Sequence, residues 1–323
     1  MATEEKITVM QHGGGFIGAN IGVWKVLDRL GKRPKKVRGV SVGALNCAMY
    51  AQAGSAPLEK YWREVGRGKP SDIFSKMGIP WHLLSESLLS DYGLNQLTKK
   101  LDCQKIIESD IELEVVVHNE TKGMLEIISS RDPRFKKDPE KLRKFIKASA
   151  SLTGYFPAVE IDGEFYSDGY YFPLEGLEGF DTIFVILNDD PHPAPIPRIW
   201  YKRFRVGVRH VLDDMAALQV DYFLELNKEF RKFIQVESEL GFFKRLVEKL
   251  KSLPANVAAK VEEVLTGEPQ FPKRLIVTSP KYSIPTLTLD DFRPGDIDKA
   301  IDLSTKQAEE LLSKVYPETK APN

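Results

Sequence analysis

A single serine stands in a spacing that suits nucleophilic chemistry. Residues 39–43 read Gly-Val-Ser-Val-Gly, so Ser41 matches the G-x-S-x-G pattern. In this pattern the serine occupies a sharp turn from a strand into a helix, and the glycines let the chain pack closely around it. The N-terminal end of the helix directs its amides and its positive dipole toward the charge that develops on an attacked carbonyl oxygen. The competing interpretation is an ordinary strand-to-helix turn in which Ser41 only caps the helix.

A run of glycines precedes this serine. Residues 13–18 read Gly-Gly-Gly-Phe-Ile-Gly. Consecutive glycines leave backbone N–H groups accessible, so they can hold an anion or an oxyanion. A dinucleotide or phosphate loop is the alternative, but the second strand ends in Ser41 rather than an acidic residue, and no Gly-Lys-Ser/Thr follows. The glycine run and Ser41 are therefore expected at the same carboxyl edge of neighbouring strands.

Asp168 is the candidate base. It lies in Tyr-Ser-Asp-Gly at residues 166–169, after a predicted hairpin with an Asp-Gly turn at 162–163. A carboxylate within hydrogen-bond reach of a serine hydroxyl can accept its proton, and partial burial raises its basicity. An Asp-Gly pair is otherwise typical of a turn. A standard α/β-hydrolase triad is not favoured. That triad has several strands before its serine and a histidine late in the chain, whereas Ser41 comes early and the last of the five histidines is His210.

These residues require a scaffold of alternating strands and helices. Short apolar runs predict strands at 7–10 and 37–40, and each is followed by residues with helical spacing, which is typical of a parallel sheet. Further strands are predicted at 113–118, 124–129, 182–187 and 274–278. A helical stripe across 211–236 predicts a helical insertion or cap at about 211–265 inside one domain that spans residues 1–323.

Composition excludes several classes of protein. The chain has 46 Lys+Arg and 46 Asp+Glu, and 46 − 46 = 0 argues against a general nucleic-acid binder. Cys47 and Cys103 are too few for a disulfide-built secreted scaffold, and no residues have metal-ligand spacing, so no metal or other cofactor is expected. Apolar runs fall short of the ~20 residues of a membrane span, and the N-terminus lacks the layout of a signal peptide. The sequence thus predicts a cytoplasmic protein.

The three motifs, in this order and spacing, resemble the patatin-like phospholipase family. That family has a glycine-rich loop (G-G-G-x-R/K-G), a G-x-S-x-G nucleophile shortly after it, and a distal D-G-G/A. The segment at 148–157 and the late strand at 275–277 are also similar, so the resemblance covers most of the chain. It implies a three-layer α/β/α patatin-like fold with a mostly parallel central sheet. It also implies a Ser–Asp dyad without histidine that cleaves acyl esters of glycerolipids through an acyl-enzyme.

The resemblance assigns roles by position. Ser41 would be the nucleophile and Asp168 the base that later activates water. The positions of the oxyanion hole would be Gly13, Gly14, Gly15 and Val42. The supporting glycines of the motifs would be Gly18, Gly39, Gly43 and Gly169.

Two departures from the family pattern leave alternatives open. Ile17 replaces the basic residue of the loop and would alter how the loop is anchored. Tyr170 replaces the small residue after Asp-Gly and would narrow the site or reposition Asp168. The alternatives are an acyltransferase or soluble carboxylesterase with the same dyad, and a catalytically degenerate binding module.

A phospholipid or lysophospholipid substrate has to be reached at a membrane. Residues 242–253 carry four positive charges and one negative charge on an amphipathic pattern, which favours a helix that lies in the bilayer interface. Peripheral membrane contact is therefore expected through Phe242, Phe243, Lys244 and Arg245. The alternative is an apolar stripe packed on the domain with solvated lysines. A second basic run, at 32–38, is expected to be a solvated turn away from the site.

Overall fold

An eight-stranded, mostly parallel sheet forms the centre of the protein. The computed structural model describes residues 5–74, 87, 89–170, 173, 176–177, 179–188, 274–278, 280–282, 284, 286–287 and 291–317. The strands are β1 (Ile7–Gln11), β2 (Lys36–Val40), β3 (Glu112–Asn119), β4 (Met124–Ser129), β5 (Val159–Ile161), β6 (Glu164–Asp168), β7 (Thr182–Ile186) and β8 (Arg274–Thr278). The order β3-β2-β1-β7-β8 is parallel throughout, whereas β4 and β6 run antiparallel to β3 and β5 runs antiparallel to β6.

The central strands β1 and β7 are mostly apolar in sequence. Every residue of β1 and of β7 is buried, as expected for parallel strands covered on both faces. All six strands predicted from apolar runs are present, including the late strand β8. The predicted hairpin is also confirmed, because β5 and β6 pair around Asp162 and Gly163, which both have positive φ.

The described helices pack against one face of the sheet and form one large apolar core with it. They are α1 (Gly22–Arg29), α2 (Val42–Ala53), α3 (Ser55–Arg67), α4 (Tyr92–Thr98), α5 (Cys103–Glu108), α6 (Pro133–Lys137), α7 (Pro139–Ser149) and α8 (Asp296–Val315). Their buried side chains, such as Trp24 and Phe145, join strand residues such as Val9 in a single apolar cluster. Met10 and Val185 point to the opposite face and join a smaller apolar cluster there. The predicted α/β fold with a mostly parallel sheet is confirmed.

The prediction that residues 32–38 form a solvated turn is wrong for residues 36–38, which belong to β2. Arg38 lies within β2 and is only 2% exposed. Its register partner on β3 is Glu114, and the two side chains form a salt bridge of 2.6 Å. Arg38 also donates to the carbonyl of Pro173 at 2.7 Å. Burial is possible because the guanidinium is both neutralised and hydrogen-bonded.

Two predictions fall outside the described residues. The helical insertion at about 211–265 is one, and the amphipathic stretch at 242–253 with Phe242 and Lys244 is the other. Both stay predictions. In the described part of the chain, no helix is both long and apolar enough to cross a membrane.

Candidate functional site

The turn between β2 and α2 holds Ser41 in a strained conformation. Its backbone has φ 57° and ψ −132°, which costs about 1–3 kcal/mol for a residue other than glycine. Its amide donates to Ser149 Oγ at 3.0 Å, and Ser149 Oγ donates to the carbonyl of Val116 at 2.7 Å. The Ser41 hydroxyl makes no capping hydrogen bond to α2, so the interpretation as a simple helix cap is not supported. The side chain is partly exposed and available for reaction.

The glycines on either side of Ser41 allow close packing of backbones. A Cβ atom on Gly39 would lie 2.4 Å from the carbonyl of Gly43. A Cβ atom on Gly43 would lie 2.0 Å from the carbonyl oxygen of Gln11, at the end of β1. Only glycine fits at both positions, and the first turn of α2 is thereby seated against the end of β1.

The glycine loop that follows β1 lies against Ser41. A Cβ atom on Gly13 would be 2.6 Å from Ser41 Cβ and 3.1 Å from Ser41 Oγ. Gly14 and Gly15 have φ of 133° and 58°, which side chains disfavour. In the described part of the chain, no acceptor pairs with the backbone N–H groups of Gly13, Gly14, Gly15 or Val42. These donors therefore remain available near the serine hydroxyl.

Two further positions of the glycine motif have structural explanations. A Cβ atom on Gly18 would lie 2.6 Å from Val42 Cγ1, so this glycine lets the loop approach the start of α2. Ile17, where the family has a basic residue, is 7% exposed and belongs to the large apolar core. Its amide donates to the carbonyl of Gly14 at 3.2 Å. The loop is thus anchored by burial at the position where the family pattern has a charge.

Strand pairing brings Asp168 to the same place. β2 pairs with the first half of β3, up to Val116 opposite Val40. β6 pairs with the second half of β3, from Val117 opposite Asp168. β4 pairs with both halves on the other side of β3, so β2 and β6 lie along the same edge and meet end to end. Asp168 and the residue after Val40 are therefore adjacent.

The environment of Asp168 favours a basic carboxylate. Its side chain is 2% exposed. Burial raises its pKa to about 7, while the hydrogen bond from the Tyr170 amide to Oδ1 (3.0 Å) and the nearby Ser41 side chain lower the pKa by less. Its Oδ2 atom is buried, and no described residue lies in hydrogen-bond geometry to it. A carboxylate of this kind can accept a proton near neutral pH.

Tyr170, whose amide donates to this carboxylate, is in turn in contact with His12. Tyr170 has φ 51°, and its hydroxyl accepts a hydrogen bond from the Thr153 amide at 2.9 Å. The imidazole of His12 is hydrogen-bonded to the backbone of Tyr170, and burial lowers its pKa to about 4. His12 is therefore neutral at physiological pH. A Cβ atom on Gly169 would lie 2.9 Å from the carbonyl oxygen of Val116, so this glycine seats the turn against β3.

An apolar cavity lies beside Ser41. Its volume is about 60 Å³, several times the ~10–15 Å³ that one water molecule needs. Ser41 and Gly15 line it at one side. The rest of the lining is dominated by apolar side chains, among them Leu45, Trp62, Val65, Ile73, Leu94 and Phe156. Such a cavity suits a hydrocarbon chain.

Some residues of this site were not predicted from the sequence. Asn188 donates from Nδ2 to the carbonyls of His12 and Gly13, both at 2.8 Å. Ser149 supports the Ser41 amide, as described above. The one available signal for Asn188 is its place two residues after a strand, at the carboxyl edge where α/β proteins hold their sites. Nothing in the pattern around Ser149 distinguishes it from Ser151.

The chain is similar to a known protein family and to solved structures. The family model of patatin-like phospholipases matches residues 9–177, which is a little more than half of the chain and includes the glycine loop, Ser41 and Asp168. Among solved structures, the crystal structure of VipD from Legionella pneumophila is similar, with 15% sequence identity and a TM-score of 0.46, over 97% of this chain and 67% of that one. No curated protein matches the chain. On the family match, the chain belongs to the patatin-like phospholipase family.

Proposed function

We propose that this protein is a serine lipid acyl hydrolase, which cleaves fatty acyl esters of phospholipids or lysophospholipids through an acyl-enzyme on Ser41. The observation that carries the proposal is a strained, partly exposed serine beside a buried carboxylate. The pKa of that carboxylate, Asp168, is raised to about 7. A general base works best when its pKa is near the working pH.

In the first half of the reaction, Ser41 Oγ attacks the ester carbonyl while Asp168 takes the hydroxyl proton. The carbonyl π electrons move to oxygen, and the oxyanion is held by the amides of Gly14, Gly15 and Val42. Removal of one such donor typically costs ~10²–10³ in kcat. When the carbonyl re-forms, the C–O bond to the lipid alcohol breaks, and that alcohol leaves with the proton from Asp168. The acyl group remains on Ser41.

In the second half, Asp168 accepts a proton from water, whose oxygen attacks the acyl carbon. The tetrahedral intermediate forms in the same oxyanion site. It then expels Ser41 Oγ, which recovers the proton from Asp168, and the fatty acid is released. His12 is a weaker base than Asp168, because burial lowers the pKa of its imidazole to about 4 whereas the pKa of Asp168 is raised to about 7, and the imidazole is hydrogen-bonded to the Tyr170 backbone.

The cavity supports an acyl chain as the group that enters the enzyme. Because the lining is apolar, binding is favoured by about 25 cal/mol of free energy for each Å² of hydrocarbon surface that the cavity removes from water. A polar acyl group would lose hydration there without hydrogen-bond partners. A lipid ester is therefore favoured over an ester of a small polar acid.

The direct experiment is to incubate the protein with mixed vesicles of phosphatidylcholine, phosphatidylethanolamine and phosphatidylglycerol and to identify the products by mass spectrometry. Fatty acid and lysophospholipid are expected from wild type and not from Ser41→Ala. Asp168→Asn is likewise expected to be inactive while it keeps the circular dichroism spectrum of wild type. Equal product from the Ser41→Ala protein would refute the nucleophile. Glycerol or lysolipid added as acceptor tests acyl transfer, which would appear as a new ester product.

A further inference from the structure

We propose that Asn188 is a positioning residue that orients the amides of the glycine loop toward the Ser41 side. This proposal rests on the proposed function for its catalytic consequence. It does not rest on that function for its structural part, which concerns how the loop is held. Asn188 lies outside the three sequence motifs, two residues after the end of β7, and is 1% exposed.

The contacts of Asn188 are with carbonyl groups of the loop. Its Nδ2 atom donates to the carbonyl oxygens of His12 and Gly13, each at 2.8 Å. In a trans peptide, the carbonyl of one residue and the amide N–H of the next point in opposite directions. Both carbonyls are turned toward Asn188, so the N–H groups of Gly13 and Gly14 are turned away from it.

The loop lies between Asn188 and Ser41. On one side, a Cβ atom on Gly14 would lie 3.0 Å from Asn188 Cβ. On the other, a Cβ atom on Gly13 would lie 2.6 Å from Ser41 Cβ. Amides that point away from Asn188 therefore point to the side of the loop that carries the serine. They find no acceptor in the described part of the chain, so they are left for an oxyanion.

A buried network fixes the orientation of the Asn188 amide. Asn20 donates from Nδ2 to Asn188 Oδ1 at 3.4 Å and to the carbonyl of Leu187 at 3.3 Å. Gln11 in turn donates to the carbonyl of Asn20 at 3.4 Å and accepts from Trp24 Nε1 at 2.8 Å. The backbone carbonyls of the loop can only accept, so the NH₂ group must face the loop and the oxygen must face Asn20.

Asparagine suits this position better than the side chains closest to it in size. An aspartate would place acceptor oxygens against two carbonyl oxygens in a site closed to water, which repels the loop. A leucine would fill the space but leave both carbonyls unpaired. A serine is shorter and has one proton to donate, so it can satisfy one of the two carbonyls.

The experiment compares Asn188→Ala and Asn188→Ser with Asn119→Ala. Asn119 is also fully buried and its Nδ2 also donates twice, to Glu126 and Glu164, but it lies on β3 away from the glycine loop. On a soluble p-nitrophenyl ester, kcat of Asn188→Ala is expected to fall roughly 100-fold with KM within threefold of wild type, because amide orientation matters most for the charged intermediate. The kcat of Asn188→Ser is expected to lie between the values for Asn188→Ala and wild type. For Asn119→Ala, both kcat and KM are expected within threefold of wild type.

A second readout does not depend on turnover. Hydrogen exchange of the His12 and Ile17 amides, which donate to the carbonyls of Ile186 and Gly14, is expected to speed up at least tenfold in Asn188→Ala and Asn188→Ser, but not in Asn119→Ala. Unchanged exchange in both Asn188 variants, or kcat losses that match those of Asn119→Ala, would overturn the proposal. An inactive wild type whose loop still loosens in the Asn188 variants would refute the proposed function and leave the positioning role standing.

Discussion

The amide of Ser41 donates to the hydroxyl of Ser149 at 3.0 Å, so the last residue of α7 supports the turn that carries Ser41. Ser149 is fully buried, and its hydroxyl donates a hydrogen bond to the carbonyl of Val116 on β3. The strained backbone of Ser41 is thus tied through one hydroxyl to a helix and to a strand. Strained backbones of this kind persist only when their surroundings hold them in place.

Ser149→Ala is therefore expected to affect stability and catalysis together. The variant leaves a buried amide and a buried carbonyl without this partner, which costs about 1–3 kcal/mol each in the free energy of unfolding. We expect kcat to fall by about tenfold or more, measured with a soluble ester. Ser151→Ala is the matched control, because Ser151 is equally buried but, among the described residues, its hydroxyl bonds only to the Lys147 carbonyl. Equal loss of kcat in both variants would contradict the supporting role of Ser149.

The rate of hydrolysis is expected to depend on the protonation of Asp168. Only the carboxylate form can accept the serine proton, and burial raises the pKa of Asp168 to about 7. On a neutral soluble ester, kcat/KM should rise with pH and level off above about pH 7, and at one pH unit below the pKa it should be about one tenth of the plateau. The partly exposed His118 provides the control, because His118→Gln should keep the same profile. A profile that is flat from pH 5 to pH 9 would argue against Asp168 as the base.

The same carboxylate is expected to make stability depend on pH. Its pKa is raised in the folded protein, so Asp168 favours folding below its unfolded pKa, near 4, and this contribution is lost as pH rises through about 7. Asp168→Asn lacks this titration. The free energy of unfolding of the variant minus that of wild type should therefore increase by up to about 4 kcal/mol from pH 4 to pH 8. Urea unfolding at the two pH values measures the difference. The same difference at both values would show that the carboxyl titrates normally.

Gly13→Ala is expected to damage catalysis more than stability. The new Cβ atom would lie 2.6 Å from Ser41 Cβ, so the nucleophile or the loop has to move. A displacement of about 1 Å at a reacting group can cost ~100-fold in rate, and we expect a loss of this order in kcat. Gly163→Ala is the control, since that position has φ 84° and open space around it. It should lose about 1 kcal/mol of stability and keep its kcat. Activity near that of wild type in Gly13→Ala would remove this glycine from the site.

The cavity is expected to set the preference for acyl chains. Val65 lines it, so Val65→Phe should shorten the space available to a hydrocarbon chain. We expect the ratio of kcat/KM for p-nitrophenyl palmitate to that for the acetate to fall about tenfold, because a few methylene groups lose their apolar contacts. Val315→Phe is the control, on α8 and outside the cavity lining. If both variants shift the ratio alike, the cavity is not the acyl site.

Local sequence predicts the parts of this protein whose geometry is local. The G-x-S-x-G spacing indicates a strand, a turn and a helix, and β2, Ser41 and α2 follow in that order. Apolar runs likewise predict the strands to within a residue or two at either end. α8 was not predicted, although Ile297, Ile301 and Leu312 follow helical spacing and are fully buried, so that signal was available.

The rest depends on contacts between distant residues. The approach of Asp168 to Ser41 depends on the pairing of β6 with β3, which no spacing within either segment reveals. The role of Asn188 depends on two carbonyls about 175 residues earlier in the chain. Arg38 looked solvated because its neighbours are basic, and only the register of β2 with β3 supplies Glu114 as a partner.

The end-to-end meeting of β2 and β6 along β3 has a consequence for how the chain reaches its native state. Side chains alternate between the faces of a sheet, so a slip of β6 by one residue would turn Asp168 to the opposite face from its native one. The strand order also joins segments far apart in the chain, and such pairings form late and slowly. If Ser41 is the nucleophile, labelling by a fluorophosphonate is expected to report on refolding, because it should return only in molecules whose strands have the correct register.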